Sequence, residues 1–263
     1  MADTTDYAAS LKEIREHAQY LMGIRSPYIS LCNQIENIFL LKWDEETKTK
    51  RAGGKDTKIT LHPGARNNAQ GAIRLMTAAD PEFSVPHETN DRATQKVSSN
   101  IEKMAKAMWL ASGRIRGRPV HYDVVHSAIL FAEMHIPISK TADMVEYAKG
   151  ASKAAQVHAD EIANQTPYLF DCWDPRTGYP EMGPTGLTAY YREVEMLTGA
   201  VLDEFGDDAQ RVLKSAERYK KVTVCNFWDL ENRFTWIKGN DIPLKPGHSW
   251  WEVVPTDFKL TWK

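Results

Sequence analysis

The order of residue patterns along this chain predicts an α+β fold: a helix-rich N-terminal half, then a mostly antiparallel β region with short helices. Three observations predict it. Apolar residues recur at helical spacing in the first half, most clearly at Val97, Ile101, Met104, Ala105, Met108 and Trp109. From Tyr168 onward, runs rich in aromatic and β-branched residues alternate with Gly/Pro clusters, which marks strands and turns. The composition, 42% hydrophobic and 26% charged over 263 residues, is that of an ordinary globular protein. Helices first and strands later is the α+β pattern.

Four segments are expected. Residues 1–60 hold N-terminal helices and a mobile polar loop, 61–166 a helical layer, 167–244 a β-rich region, and 245–263 an irregular tail with Trp250, Trp251 and Trp262. Residues 5–41 read as two helices broken near Gly23 to Pro27, because glycine suits a helix end and proline a first turn. The stretch 43–58 is polar and contains Gly53-Gly54, so it reads as an exposed loop. A short strand is expected over 57–61 and a helix over 65–78. Asn90 or Asp91 suits the cap of the next helix, and Gly113 suits its end. The Met/Trp stripe of that helix is expected to be core. Pro119 opens a helix through Met134 that is apolar almost all round and therefore expected to be buried. A strand over 135–138 and a helix over 141–164, interrupted near Gly150, lead to a strand over 168–173.

Asp174-Pro175 stops that strand. Pro175, Gly178, Pro180, Gly183, Pro184 and Gly186 then predict a long turn-rich loop before a second strand over 187–194. Thr198 suits the cap of a short helix ending at Gly206, and Asp207 or Asp208 the cap of another over 209–216. Strands over 222–228 and 233–237, joined through 230–232, precede a turn at Lys238-Gly239-Asn240-Asp241.

The net charge of −2, from 33 basic and 35 acidic residues, excludes a strongly basic histone-like binder. It leaves open a protein that surrounds DNA without gripping it. Cys32, Cys172 and Cys225 are odd in number and far apart, with no CxxC, so they read as free or buried thiols of a reducing compartment. The polar, acidic N-terminus does not read as a signal peptide. No apolar run approaches the roughly 18–20 residues that span a bilayer.

Chemistry-bearing patterns are sparse. His121 and His126 lie five apart, about 140° around a helix, so they do not converge. HEXXH, GxSxG, GxxxxGK[ST] and GxGxxG are absent. His158 and Glu161 form at most half of a carboxylate metal site. Glu133 and His135 have no nucleophile pattern beside them, and Cys172 lacks the surroundings of a thiol protease. Glu45-Glu46, Asp203-Glu204 and Asp207-Asp208 are acidic pairs, the last two explained by helix ends. No catalytic, cofactor-binding or metal residue is nominated, and the pattern is not that of an enzyme. Arg114, Arg116 and Arg118, in GRIRGRP between two helices, are the candidate contacts. Three readings are open there: phosphate, an acidic group of a neighbouring subunit, or solvent.

Across DPRTGYPEMGPTGLTAYYREVEMLTGAVLDEFG the chain resembles the portal protein, or head–tail connector, of tailed double-stranded DNA bacteriophages. The residues that carry the resemblance are Asp174, Pro175, Arg176, Tyr179, Pro180, Gly186, Tyr190, Tyr191, Arg192, Phe205 and Gly206. VTVCNFWD with RFTWIKG is similar to the family's next hairpin, and GRPVHYDVVHSAILFAEMHI to its helical layer. The resemblance covers roughly residues 60–240 and matches the wing region. It implies a ring of this chain with itself, commonly a dodecamer, at one capsid vertex of the virion, assembled in the host cytoplasm. Double-stranded DNA would pass through it. The implied partners are the packaging motor (terminase), the capsid shell and head–tail adaptor proteins, with no cofactor and no membrane. Stem, clip and crown segments are not seen after Ile242, so a truncated portal, a split-gene product or a remnant is expected. The alternatives are a nucleic-acid-associated adaptor module and, further off, a metal-dependent hydrolase.

Overall fold

A computed structural model describes residues 4–42, 63–86, 92–149, 151–184, 186–213, 218–229, 233–240 and 244. The fold is α+β, with helices concentrated in the first half and antiparallel sheet in the second. The chain divides into two compact units. One comprises Met1–Arg25, Pro137–Trp173 and Thr177–Lys263; the other comprises Ser26–Ile136 and Asp174–Arg176.

The first unit is built on a four-stranded antiparallel sheet, β3 (Gly178–Gly183), β4 (Gly186–Leu197), β5 (Lys221–Trp228) and β6 (Arg233–Ile237), in that spatial order. Register explains its two faces. Tyr191 pairs with Phe227 and Phe227 with Phe234, so all three point to one side. Together with Ala189, Cys225 and Trp236 they form a core that Leu11, Ala18 and Leu21 of helix α1 (Thr4–Phe39) close. Val224 pairs with Ile237, and these point the opposite way. There they meet Val201, Phe205 and Ala209 of helix α7 (Thr198–Val212), with Leu244 also buried. A sheet covered on both faces needs apolar residues at successive positions, which is what β4 and β5 supply.

The expected long loop after Asp174 is a correction. A short 3-10 turn over Pro175–Thr177 leads directly into β3, which pairs with β4 through a tight turn between Gly183 and Gly186. Pro180 is tolerated because β3 is an edge strand, where a missing N–H breaks no second ladder. A register shift between Glu181 and Met182 absorbs the irregularity near the turn.

A small ribbon, β1 (Ile138–Lys140) with β2 (Tyr168–Phe170), brackets helices α5 (Thr141–Ala148) and α6 (Lys153–Gln165). The break between these helices is as expected, and Ser152 caps the second by accepting from the Ala155 N–H at 3.2 Å. The strand expected over 168–173 stops at Phe170. The Asp171 carboxylate accepts from the Cys172 N–H at 2.7 Å and from the Trp173 indole at 3.1 Å, and this local bonding diverts the backbone from the ladder. The strand expected over 135–138 lies instead at Ile138–Lys140.

In α7 the expected break at Gly206 is present as non-helical backbone (φ 55°, ψ −127°). Thr198 is not a cap: its hydroxyl donates to the Lys220 carbonyl at 2.9 Å, and Leu197 stands at the cap position. The helix expected to reach residue 216 ends at Val212.

The second unit is helical. It contains the later part of α1 with α2 (Gly64–Met76), α3 (Arg92–Arg116) and α4 (Val120–Phe131). Four expectations are corrected here. Helix α1 is continuous, with Pro27 inside it. Proline removes the bond to the carbonyl of residue 23, and Gly23 gives that backbone room to adjust. Packing of Leu21 in one unit and Cys32 in the other holds the helix on both sides of the lost bond. Helix α3 runs through Gly113 to Arg116 and ends beside Gly117, which has φ 76°. Gly113 serves packing: a Cβ there would lie 3.2 Å from the Cα of Pro119. The Met/Trp stripe is not core. Trp109 is buried, but Val97, Ile101 and Met104 are 57%, 47% and 59% exposed, and the buried face of α3 carries Ser98 and Ser112. Helix α4 is not buried all round and ends at Phe131, not Met134. Asp123 and Ser127 lie on its buried face, and Tyr122 is exposed. The compact apolar cluster of this unit is small: Cys32, Leu130 and Phe131, with Tyr28, Phe39 and Ala69 against it.

The polar segment at 43–58 with Gly53-Gly54, the strand at 57–61, the caps at Asn90 or Asp91, Gly150, the connection 230–232, Asp241 and the tail with Trp250, Trp251 and Trp262 lie outside the described residues.

Candidate functional site

The three arginines nominated from sequence have different positions. Arg114 and Arg116 occupy the last turn of α3, so the loop placement is corrected; Arg118 follows Gly117 in the connection. Two of them converge on one carboxylate of their own chain. The Asp123 Oδ2 accepts from the Arg116 guanidinium at 2.8 Å and from the Arg118 Nε at 2.9 Å. Asp123 is buried in the first turn of α4, where the helix dipole also favours a negative charge. Arg114 makes no ion pair among the described residues and is exposed. It borders an open groove of about 580 Å³ between the end of α3 and the start of α4, lined also by Asp80, Trp109, Arg118 and His121. The His121 Nδ1 is buried without a hydrogen bond among the described residues.

Large apolar side chains are exposed in rows. On α3 these are Val97, Ile101 and Met104, spaced four and three apart, on one helical face. Leu75 and Met76 at the end of α2, and Leu31 and Ile38 on α1, are exposed in the same unit. In the first unit Tyr20 and Ile24 form a separate i, i+4 pair. Exposed apolar residues gathered on one helix face are a feature of interaction sites.

Among the described residues, several acidic and histidine groups have partners within their own chain. Arg176 chelates Asp174 at 2.6–3.1 Å and reaches Glu36 at 2.5 Å, with its guanidinium 5.1 Å from the Phe131 ring. Burial alone would raise the Asp174 carboxyl; the hydrogen bonds and charge of Arg176 outweigh it and hold the group below its ordinary value. His135 is buried against Glu133 at 2.7 Å. His126 packs its ring on Phe39 and Tyr122, and burial lowers its pKa. His158 and Glu161 are both exposed. Asp203 pairs with Arg218 at 3.5 Å and Asp208 with Arg211 at 3.7 Å. Among the described residues, no group of three or more His, Cys, Asp or Glu residues is placed to hold a metal ion, and no helix is long and apolar enough to cross a membrane.

Sequence reasoning missed two clusters in the sheet unit. The Arg192 guanidinium lies 3.9 Å over the Trp173 ring, which stacks on Trp228 at 5.6 Å; Arg233 lies 4.3 Å over Tyr147. On the other face, the Tyr191 hydroxyl meets the Cys225 Sγ at 3.2 Å and Glu193 at 2.7 Å, and Lys238 meets Glu193 at 2.8 Å. Burial pushes the Cys225 thiol up to about 11, which favours the protonated thiol at neutral pH. The signal for both was strand register: Arg192 and Glu193 sit on opposite faces, and only the pairing partners reveal which aromatic each meets.

No protein-family model matches this chain, and no curated protein matches it.

Proposed function

We propose that this chain is a structural subunit of a portal-type ring of a tailed double-stranded DNA phage, the wing-like part that packs copies side by side at a capsid vertex. The observation that carries this reading is the exposed apolar row of α3, Val97, Ile101 and Met104, with Leu75 and Met76 of α2 also exposed in the same unit. A helical layer that buries serines and exposes Ile and Met is poorly suited to a lone copy in water. Covering each of these side chains is worth roughly 1 kcal/mol or more, given about 25 cal/mol per Å². A closed ring uses a heterologous contact, so one such face can meet a different face of the next copy. The resemblance of roughly residues 60–240 to portal sequences supports reading the ring as a portal. In this reading DNA passes through the ring, the packaging motor, capsid shell and adaptors dock on it, and its place is the virion, after assembly in the host cytoplasm.

The test is mass in solution, by native mass spectrometry and sedimentation of the full chain. The reading expects a defined closed oligomer that the Ile101→Ser/Met104→Ser variant reduces to a monomer with unchanged circular dichroism. A wild-type chain that stays monomeric at micromolar concentration, or an oligomer indifferent to that variant, sinks it.

A further inference from the structure

The α3 helix carries six basic residues and one acidic one, a net +5 in a chain whose total is −2. Four of the six form a row. At about 100° per residue, Arg92, Lys96, Lys103 and Arg114 fall within about 40° of one another around the axis. They span about 33 Å along it, at about 1.5 Å per residue. All four are exposed, and none forms an ion pair or hydrogen bond through its side chain among the described residues. Elsewhere exposed cations are of both kinds: Lys221, Lys238, Lys149 and Arg211 pair with Glu195, Glu193, Glu146 and Asp208, while Lys12, Arg74 and Lys153 have no ion pair among the described residues. What sets α3 apart is the alignment of four such cations, without a partner among the described residues, along one side of a single helix.

We propose that this row is a nucleic-acid contact surface that binds the phosphate backbone of duplex DNA without reading sequence. The ligand chemistry follows from the groups present. The row offers only hydrogen-bond donors of fixed positive charge, which suit phosphate oxygens. Its length is close to one turn of duplex, about 34 Å. The residues between the cations on that side, Ser99, Asn100, Ala107 and Leu110, include no aromatic platform for unpaired bases.

Two other polyanionic partners fit less well. A helix that lies on an anionic membrane places its apolar stripe between basic flanks. Here the apolar row of Val97, Ile101 and Met104 is centred about 120° to one side of the basic row. The far side is closed by the face that buries Ser98 and Trp109. An acidic protein partner would want aromatic or apolar anchors within the contact, and the basic row has none of substance. The groove beyond Arg114 extends the row only partly, since Arg118 is committed to Asp123 through Nε and Asp80 adds a negative charge to the rim. The contact is therefore on the helix and not in the groove. The inference goes beyond the ring reading and does not need it, because it concerns one face of one copy.

Its test is fluorescence anisotropy of the full chain with a mixed-sequence duplex no longer than the row, titrated at several salt concentrations. Four phosphate contacts at a slope of about −0.9 each give a plot of log K against log salt with slope about −3.6. Affinity then falls about 150-fold between about 50 and 200 mM salt. Lys96→Gln/Lys103→Gln/Arg114→Gln reduces the slope to about −0.9, while Lys96→Arg/Lys103→Arg preserves it. Lys221→Gln, which removes a cation already paired with Glu195, leaves it unchanged. The proposal is overturned by absence of DNA binding at the lowest salt, or by a slope that the triple variant does not alter. Tighter binding to phosphatidylserine vesicles or to polyglutamate than to the duplex also overturns it, by assigning the row to a membrane or an acidic protein. Loss of the oligomer with DNA binding intact would remove the ring reading and leave this one standing.

Discussion

Asp123→Asn isolates what a single carboxylate does for the second unit. Asp123 is 8% exposed, and its Oδ2 accepts from Arg116 and Arg118, tying the last turn of α3 to the first turn of α4. The amide has the same size and keeps an acceptor oxygen, so the change removes charge and little else. The two arginines are not equivalent. The Arg118 side chain is 62% exposed, and water screens its pair to about 0–1 kcal/mol. The Arg116 side chain is 17% exposed. A hydrogen bond between charged groups there is worth about 1.5–3 kcal/mol. A cation left mostly out of water adds to the cost, though less than in a fully buried pair. The expected loss is about 2–3 kcal/mol for Asp123→Asn and at most about 1 kcal/mol for Arg118→Gln. Hydrogen exchange of the amides over 112–124 reads this locally, without assuming that two compact units unfold as one. Protection there should fall about 30- to 150-fold in Asp123→Asn and less than about tenfold in Arg118→Gln, at 1.36 kcal/mol per decade. Equal, small effects of the two substitutions would refute the reasoning, because they would mean that water carries Arg116 as well as Asp123 does.

Two glycines in helices should respond in opposite directions. Gly71→Ala in α2, where a Cβ meets nothing within 4 Å, should stabilise by roughly 0.5–1 kcal/mol in urea denaturation; Gly113→Ala should destabilise despite the same helix-propensity gain, because its Cβ meets backbone of Pro119 at 3.2 Å and of Arg118 at 3.4 Å. The Asp174 carboxyl, held down by Arg176, contributes stability that is complete above its ordinary value of 3.8 and is lost as pH falls through the lower folded value. Urea midpoints taken down through that window should therefore flatten in Asp174→Asn, and an unaltered acid limb would reject the assignment. In alkylation at mildly alkaline pH, partly exposed Cys172 should label first and Cys32 and Cys225 slowly, the last because its thiol is pushed up to about 11; three equal rates would contradict the burial described.

What the sequence disclosed depended on whether a feature was local. Strands β5 and β6 were legible from Val222 to Trp228 and from Arg233 to Ile237, because β-branched and aromatic runs bounded by turn residues carry their own signal. The break at Gly206 was legible for the same reason. Strand β3 was not, since Gly178, Pro180 and Gly183 argue locally for a loop, and only pairing with Tyr190–Arg192 makes it a strand. Pro27 misled in the same way: propensity breaks the helix, and packing on both sides of it prevails. The deepest misreading concerned α3. Periodicity correctly found the apolar stripe but could not say which stripe faces inward, and the stripe of Ser98, Trp109 and Ser112 does. Of the nominated arginines, sequence spacing gave no sign that Asp123 holds Arg116 and Arg118, because that pair depends on the turn at Gly117.

The exposed apolar row and the basic row on α3 together make a linked prediction. They lie about 120° apart on one rod, so two different partners can cover them at the same time. A heterologous ring contact through the apolar row repeats one operation from copy to copy, so the basic rows recur at fixed spacing. A duplex long enough to reach a second copy then meets a surface whose contacts are already held together, and its binding gains from effective concentration without any new group. A duplex no longer than one row gains nothing. Ile101→Ser/Met104→Ser changes no charge, so in the monomer it should leave the slope for the short duplex near −3.6, at about −0.9 for each of four contacts. The same variant should lower affinity for the long duplex to that of the short one. If the neutral variant weakens both duplexes equally, the apolar row itself touches DNA, and the division of α3 into a copy-facing and a phosphate-facing side is wrong.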